Sequence, residues 1–80
     1  MQIPRQDPWD GLYRFVMFDI PERKKLSREV FRGKLIQLGF EKIQQSIWRH
    51  RYPCAKEIEF LTHLYGIARY VDVVEGKKVL

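Results

Sequence analysis

Eighty residues leave room for one domain, and so short a chain buries roughly 60–65% of its extended surface. Apolar residues make up 45% and aromatics 14%, which is too rich for intrinsic disorder. The lone Cys54 excludes an internal disulfide, and with only His50 and His63 beside it a four-ligand zinc site lacks its usual ligands.

Residues 1–11 carry Pro4, Pro8 and Gly11 without periodicity and read as an irregular leader, with Trp9 as an anchor packed on the domain. The first five residues show no apolar core of a signal peptide. No apolar run approaches the ~18 residues needed to span a bilayer. The expectation is a cytoplasmic domain with no membrane partner. Residues 12–20, LYRFVMFDI, are aromatic and β-branched and predict a strand. Tyr13, Phe15 and Met17 fall on one face, Val16, Phe18 and Ile20 on the other. Apolar on both faces, this strand is central and covered on both sides.

Residues 22–38 predict a helix with Leu26, Val30, Phe31, Leu35 and Leu38 as its apolar stripe, ended by Gly39 in the left-handed region. Residues 23–34 hold Arg23, Lys24, Lys25, Arg28, Arg32 and Lys34 against the single acid Glu29. That local +5 equals the formal charge of the whole chain. Such a run is either a phosphate-binding patch or a solvated helix face.

Residues 40–52 predict two short strands joined near Gln45-Ser46, with Trp48, His50 and Tyr52 on one face and Ile47, Arg49 and Arg51 on the other. Pro53-Cys54 breaks the second strand. A helix follows over 55–65 with Ile58, Leu61, Leu64 and Tyr65 as its stripe, then Gly66. Residues 67–74 predict the last strand, with a turn at Glu75-Gly76 and a tail over 75–80.

The order is βαββαβ, an α+β ferredoxin-like domain over 12–74 with a four-stranded antiparallel sheet and two helices on one face. The other sheet face is apolar at the first strand and lacks a cover. A homodimer packed through that face supplies one, with Val79-Leu80 placed to pair with the partner subunit.

Asp19, at the end of the first strand in the phase of Phe15 and Met17, is the candidate catalytic and metal residue. On a dimer face it meets its symmetry mate, and two close carboxylates either share a proton or bind a hard cation such as Mg2+. The alternative is a helix cap or a hydrogen bond to the turn before Pro21. Gln44, Gln45 and Ser46 are either ligand contacts or ordinary hairpin residues. Arg23, Lys24, Lys25, Arg28, Arg32, Arg49 and Arg51 are the candidate nucleic-acid contacts, with Trp48 the aromatic among them or a buried core residue. Both histidines read as structural or surface residues. Cys54 at a helix start has grounds for a lowered thiol pKa but no visible partner for catalysis.

FVMFDIPE, a basic helix and GFEKIQQSIWRHRYP resemble the Cas2 family of CRISPR-associated endonucleases. Trp9-Asp10-Gly11, Phe18-Asp19-Ile20-Pro21-Glu22, Leu38-Gly39-Phe40 and Tyr52-Pro53-Cys54 are still more similar to the Cas2-like central domain of PaaX-type transcriptional regulators. The Cas2 resemblance implies a homodimer whose residue at the Asp19 position serves Mg2+-dependent cleavage of RNA or DNA, or a scaffold that joins integrase subunits in CRISPR spacer acquisition. The PaaX resemblance implies a non-catalytic dimerisation module of a transcriptional repressor, accompanied by a winged-helix DNA-binding partner domain. The chain is then either a stand-alone protein or an excised domain.

Overall fold

The computed structural model describes residues 1–77; the expected pairing of Val79-Leu80 lies outside them. Four strands form one antiparallel sheet: β1 (Tyr13–Phe18), β2 (Glu41–Gln44), β3 (Ile47–His50) and β4 (Val71–Gly76), in the spatial order β2-β3-β1-β4. Helix α1 (Lys25–Gln37) joins β1 to β2, and α2 (Ala55–Leu64) joins β3 to β4. This is the ferredoxin-like α+β arrangement expected from the order of elements. Among the described residues no helix is long and apolar enough to cross a membrane.

Strand alternation sorts β1 sharply. Arg14, Val16 and Phe18 are buried, while Tyr13, Phe15 and Met17 on the opposite face are half-buried. Val16, Phe18, Ile20 and Trp48 join Phe31 and Leu35 of α1 and Ile58 and Leu61 of α2 in one apolar cluster, with Phe40 and Ile67. The Phe18 and Phe31 rings meet edge to face at 5.4 Å, so the helices cover this face.

The helix stripes differ from expectation. Leu26 and Val30 are exposed, at 83% and 44%, and so is Leu64 at 60%. Leu26 lies five residues before Phe31, which is about 140° around an α-helix and therefore off the buried face. The inward row is instead Arg28, Phe31, Leu35 and Leu38, spaced by three and four. Arg28 joins it by laying its stem along the core and donating its guanidinium to the Ile20 carbonyl at 3.3 Å. A 3-10 turn, Glu22–Lys24, precedes α1, so the α-helix begins three residues later than expected.

The last strand also starts later. Buried Ile67 follows Gly66 (φ +67), and Tyr70 N–H donates to the Ile67 carbonyl at 2.9 Å, closing a 3-10 turn over Ala68–Tyr70. β4 then runs through the expected Glu75-Gly76 turn, because Tyr13 pairs with Gly76 and Arg14 with Glu75.

Arg14 is the buried cation that holds this end of the sheet. Its side chain is 5% exposed and paired with Asp10 at 2.6 Å and Glu75 at 2.9 Å. Its Nη1 also donates to the carbonyls of Arg51 at 2.7 Å and Leu12 at 3.2 Å. The guanidinium and the Leu12 N–H hold the Asp10 carboxyl below its usual range. Ionised Asp10 is therefore favoured by folding. Its contribution is complete above about pH 4 and is lost as pH falls through the lowered folded value.

Arg14→Leu strands the two carbonyls and both carboxylates, at an expected cost of about 1–3 kcal/mol in urea unfolding. The variant should also lose less stability than the parent between pH 5 and the acid limit. An unchanged urea midpoint would contradict the clamp.

Candidate functional site

The sheet face turned away from the helices carries Tyr13, Phe15 and Met17 of β1, Ile47 and Arg49 of β3, and Val74 of β4. Their register places them side by side: Phe15 lies between Arg49 and Val74, and Met17 between Ile47 and Asp72. Tyr13, Phe15, Met17 and Ile47 are half-buried, and Val74 is 45% exposed. Among the described residues no helix covers them.

One end of this face is a stack of aromatic rings and guanidinium groups. Trp9 meets Tyr13 edge to face at 5.0 Å, and its indole N–H donates to the Leu12 carbonyl at 2.8 Å. The leader is thereby anchored as Trp9 suggested. Arg49 lies over the Tyr13 ring at 4.3 Å and Arg51 over the Trp9 ring at 5.1 Å. Arg49 is also paired with Glu41, whereas the guanidinium of Arg51 has no carboxylate within ion-pair distance among the described residues.

The other end carries Asp19. It is exposed and lines a shallow depression of about 450 Å³ with Met17, Ser46, Ile47, Arg69 and Asp72. Its backbone N–H donates to the Tyr70 carbonyl at 3.0 Å. The turn after it has no side-chain cap, so the capping role considered for Asp19 is not the one it plays. Asp19 and Asp72 supply two carboxylates, the kind of donor Mg2+ takes beside water and phosphate. Among the described residues no three His, Cys, Asp or Glu side chains gather as a metal-binding group.

The basic candidates do not form one patch. Arg49 and Arg51 belong to the open face, and the α1 residues to the helix layer on the opposite side of the sheet. Arg28 pairs with Glu22 at 3.1 Å, and Arg32 pairs with Glu29 at 2.7 Å while lying over the Phe18 ring. Arg23 donates to the Tyr70 hydroxyl at 2.8 Å. Lys24 is half-buried and Lys25 exposed. Of the six basic residues in 23–34, Arg28 and Arg32 are thus answered by Glu22 and Glu29.

Trp48 is buried, its indole N–H directed at the Gln45 carbonyl at 3.4 Å. Gln44 and Gln45 are exposed at the hairpin, where a bulge between Lys42 and Gln44 leaves Ile43 41% exposed. Cys54 is buried before α2, and burial pushes its thiol up to about 11, the reverse of activation. His63 is exposed on α2, its Nδ1 2.8 Å from the Glu59 carbonyl.

A model of the PaaX protein central Cas2-like domain family matches residues 6–80 of the chain. The chain belongs to that family. No curated protein and no solved structure gives a significant match. Arg14 is the residue of this PaaX-type central domain that sequence reading passed over. Its only signal was an arginine in the buried phase of a central strand, with Asp10 four residues before it.

His50 locks this domain from behind the open face. Its Nε2 lies 3.1 Å from the Leu38 carbonyl and its Nδ1 accepts the Tyr52 N–H at 3.0 Å. Both bonds are made together only by the neutral ring protonated at Nε2. Burial lowers the His50 pKa, and neighbouring Arg14 adds to the effect. Folding favours the neutral ring, so stability should decline as pH falls below the unfolded value of about 6.5. Urea midpoints measured between pH 7.5 and 5.5 should fall in the parent and flatten in His50→Gln. An equally steep decline in the variant would show that another group titrates.

Proposed function

We propose that this chain is the dimerisation module of a PaaX-type transcriptional regulator, a homodimer closed through its open sheet face. The observation that carries this reading is the row Tyr13-Phe15-Met17 with Ile47 and Val74, apolar, uncovered and set on a central strand. A domain of this size has little core to spare, and covering such a face adds to the small apolar burial of each subunit. Family membership supports the regulatory setting. In regulators of this type a winged-helix domain reads DNA, so the module's part is to hold two readers as a pair. The internal pairing of Arg28, Arg32 and Arg49 fits this division of labour. Lys25 and Arg51 are the cations best placed to add phosphate contacts, the first on the helix layer and the second on the open face.

Phe15→Glu puts a charge at the centre of the face without disturbing the buried phase of β1. Sedimentation should show a dimer for the parent and a folded monomer for the variant. A monomeric parent at micromolar concentration would sink the reading.

A second reading has its own observation, the exposed carboxylate of Asp19 sharing a depression with Asp72. It makes the module a Mg2+-dependent endonuclease acting on RNA or DNA. Bound Mg2+ would supply charge stabilisation and an activated water. Asp19 would hold the ion, and Arg69 beside it would orient a phosphate. Asp19→Ala should abolish Mg2+-dependent cleavage of labelled RNA and double-stranded DNA by about 100-fold or more. Equal cleavage by both proteins, or none by the parent, rejects this reading.

A further inference from the structure

The apolar residues that the helices turn away from the core form a second uncovered surface, on the layer opposite the open sheet face. Phe60 and Leu64, one turn apart on α2, are exposed and form a ridge between two depressions. On one side lies a groove of about 180 Å³ between the helices, lined by Leu38, Leu61 and Tyr65, with Lys34 and Gln37 of α1. On the other side Lys56, Glu59 and His63 border a wider hollow. Val30 precedes Lys34 by one turn and falls between Lys34 and Gln37 around the helix, so it continues the groove along α1. Leu26, a further turn back, ends the row, and both are exposed.

The two helices run antiparallel. β2 points the same way as β1 and α1 returns between them, whereas β3 and β4 point the opposite way and α2 returns between those. The seam of two such helices is a channel into which a third helix packs ridge into groove. Between their end turns α1 and α2 spend their main-chain groups on each other, so the surface offers an occupant no backbone partners. The occupant must satisfy its own, which a helix does and an extended segment does not.

Charge gives the occupant its sign. Lys34 and Lys56 flank the ridge on its two sides, and neither has a carboxylate within ion-pair distance among the described residues. Lys24 adds a third charge where α2 ends, its Nζ 3.8 Å from the position a Cβ at Gly66 would take. Of the acids nearby, Glu29 is held by Arg32 and Glu57 borders the leader with Arg5, which leaves Glu59 at the hollow. We propose that the groove between α1 and α2 docks an acidic amphipathic helix of a partner protein. Its apolar side chains lie on Val30, Phe60 and Leu64, and its carboxylates meet Lys34 and Lys56. A lipid surface is anionic too, but it is flat and leaves the channel unfilled. The site is on the layer opposite the face assigned to the dimer, so it stands whether or not that pair forms.

Two labelled peptides of about 18 residues test the proposal, each an amphipathic helix with the same leucine stripe, one flanked by glutamates and the other by lysines. Fluorescence anisotropy at low salt measures their binding to the whole chain, with circular dichroism confirming the fold of each variant. The chain should bind the glutamate peptide at least about tenfold more tightly than the lysine peptide. Leu64→Glu and Phe60→Glu should each weaken that binding by about tenfold or more. Lys34→Glu combined with Lys56→Glu should reverse the preference between the peptides. Phe15→Glu, on the opposite face, should bind as the parent does. Equal affinity for the two peptides, or none for either, would overturn the proposal. Loss of binding in Phe15→Glu but not in Leu64→Glu would overturn it too, by moving the contact to the open face. So would an assembly larger than a dimer that Leu64→Glu takes apart, since a second copy would then be the occupant. Binding to phosphatidylserine vesicles that Leu64→Glu abolishes, without peptide binding, would overturn it in favour of a lipid surface.

Discussion

A single guanidinium, that of Arg14, sets the condition under which the rest of this small structure holds together. Strand β1 is central, and a cation in its buried phase is tolerable only when every direction around it is answered. Asp10 answers from the leader, Glu75 from β4, and the carbonyls of Leu12 and Arg51 complete the shell. Three stretches of chain that are remote in sequence therefore converge on one planar group. The convergence fixes where β4 ends, where the leader turns, and where the backbone at Arg51 leaves β3. Arg51 can lie over Trp9 because both are delivered by segments tied to Arg14. Such a pair adds specificity more surely than stability, since the ions lose hydration as they are buried.

Charge in this protein has two fates, and composition alone does not separate them. The run over residues 23–34 looks like an electrostatic footprint when counted. In three dimensions Arg28 and Arg32 are structural, each turned to a carboxylate and an apolar surface. Their Nε atoms, like Nη1 of Arg49, are buried without a hydrogen bond. Groups so placed are poorly suited to releasing their partners for phosphate. Arg51 and Lys25 carry their charge outward, although the sequence does not distinguish them from the paired arginines.

The fold was legible because its period-two and turn signals agree. Alternation in β1 and β3, Gly39 and Gly66 in the left-handed region, and the Pro53 break each marked an element. The misread parts share a cause. Leu26, Val30 and Leu64 are apolar at helical spacing, yet spacing does not say which arc of a helix faces inward when basic stems also cover the core. The delayed start of β4 followed from Ile67, which is apolar like a strand residue but is buried in a 3-10 turn. At the open face the sequence identified Asp19, Arg49 and Arg51, but not that an acid of the neighbouring strand already answers Arg49. That pairing joins different strands through Glu41, and only the register reveals it.

The leader touches both layers of the protein. Ile3 packs against the core cluster on the helix side, and Trp9 reaches the edge of the open face to lie against Tyr13. Between them the chain passes beside Pro53 and the first turn of α2. Tension applied along this segment would act on the Trp9–Tyr13 contact and on the Asp10–Arg14 bridge before it reached any strand. The leader is in mechanical terms a lever across the sheet, with its short arm at the surface where a second subunit would lie.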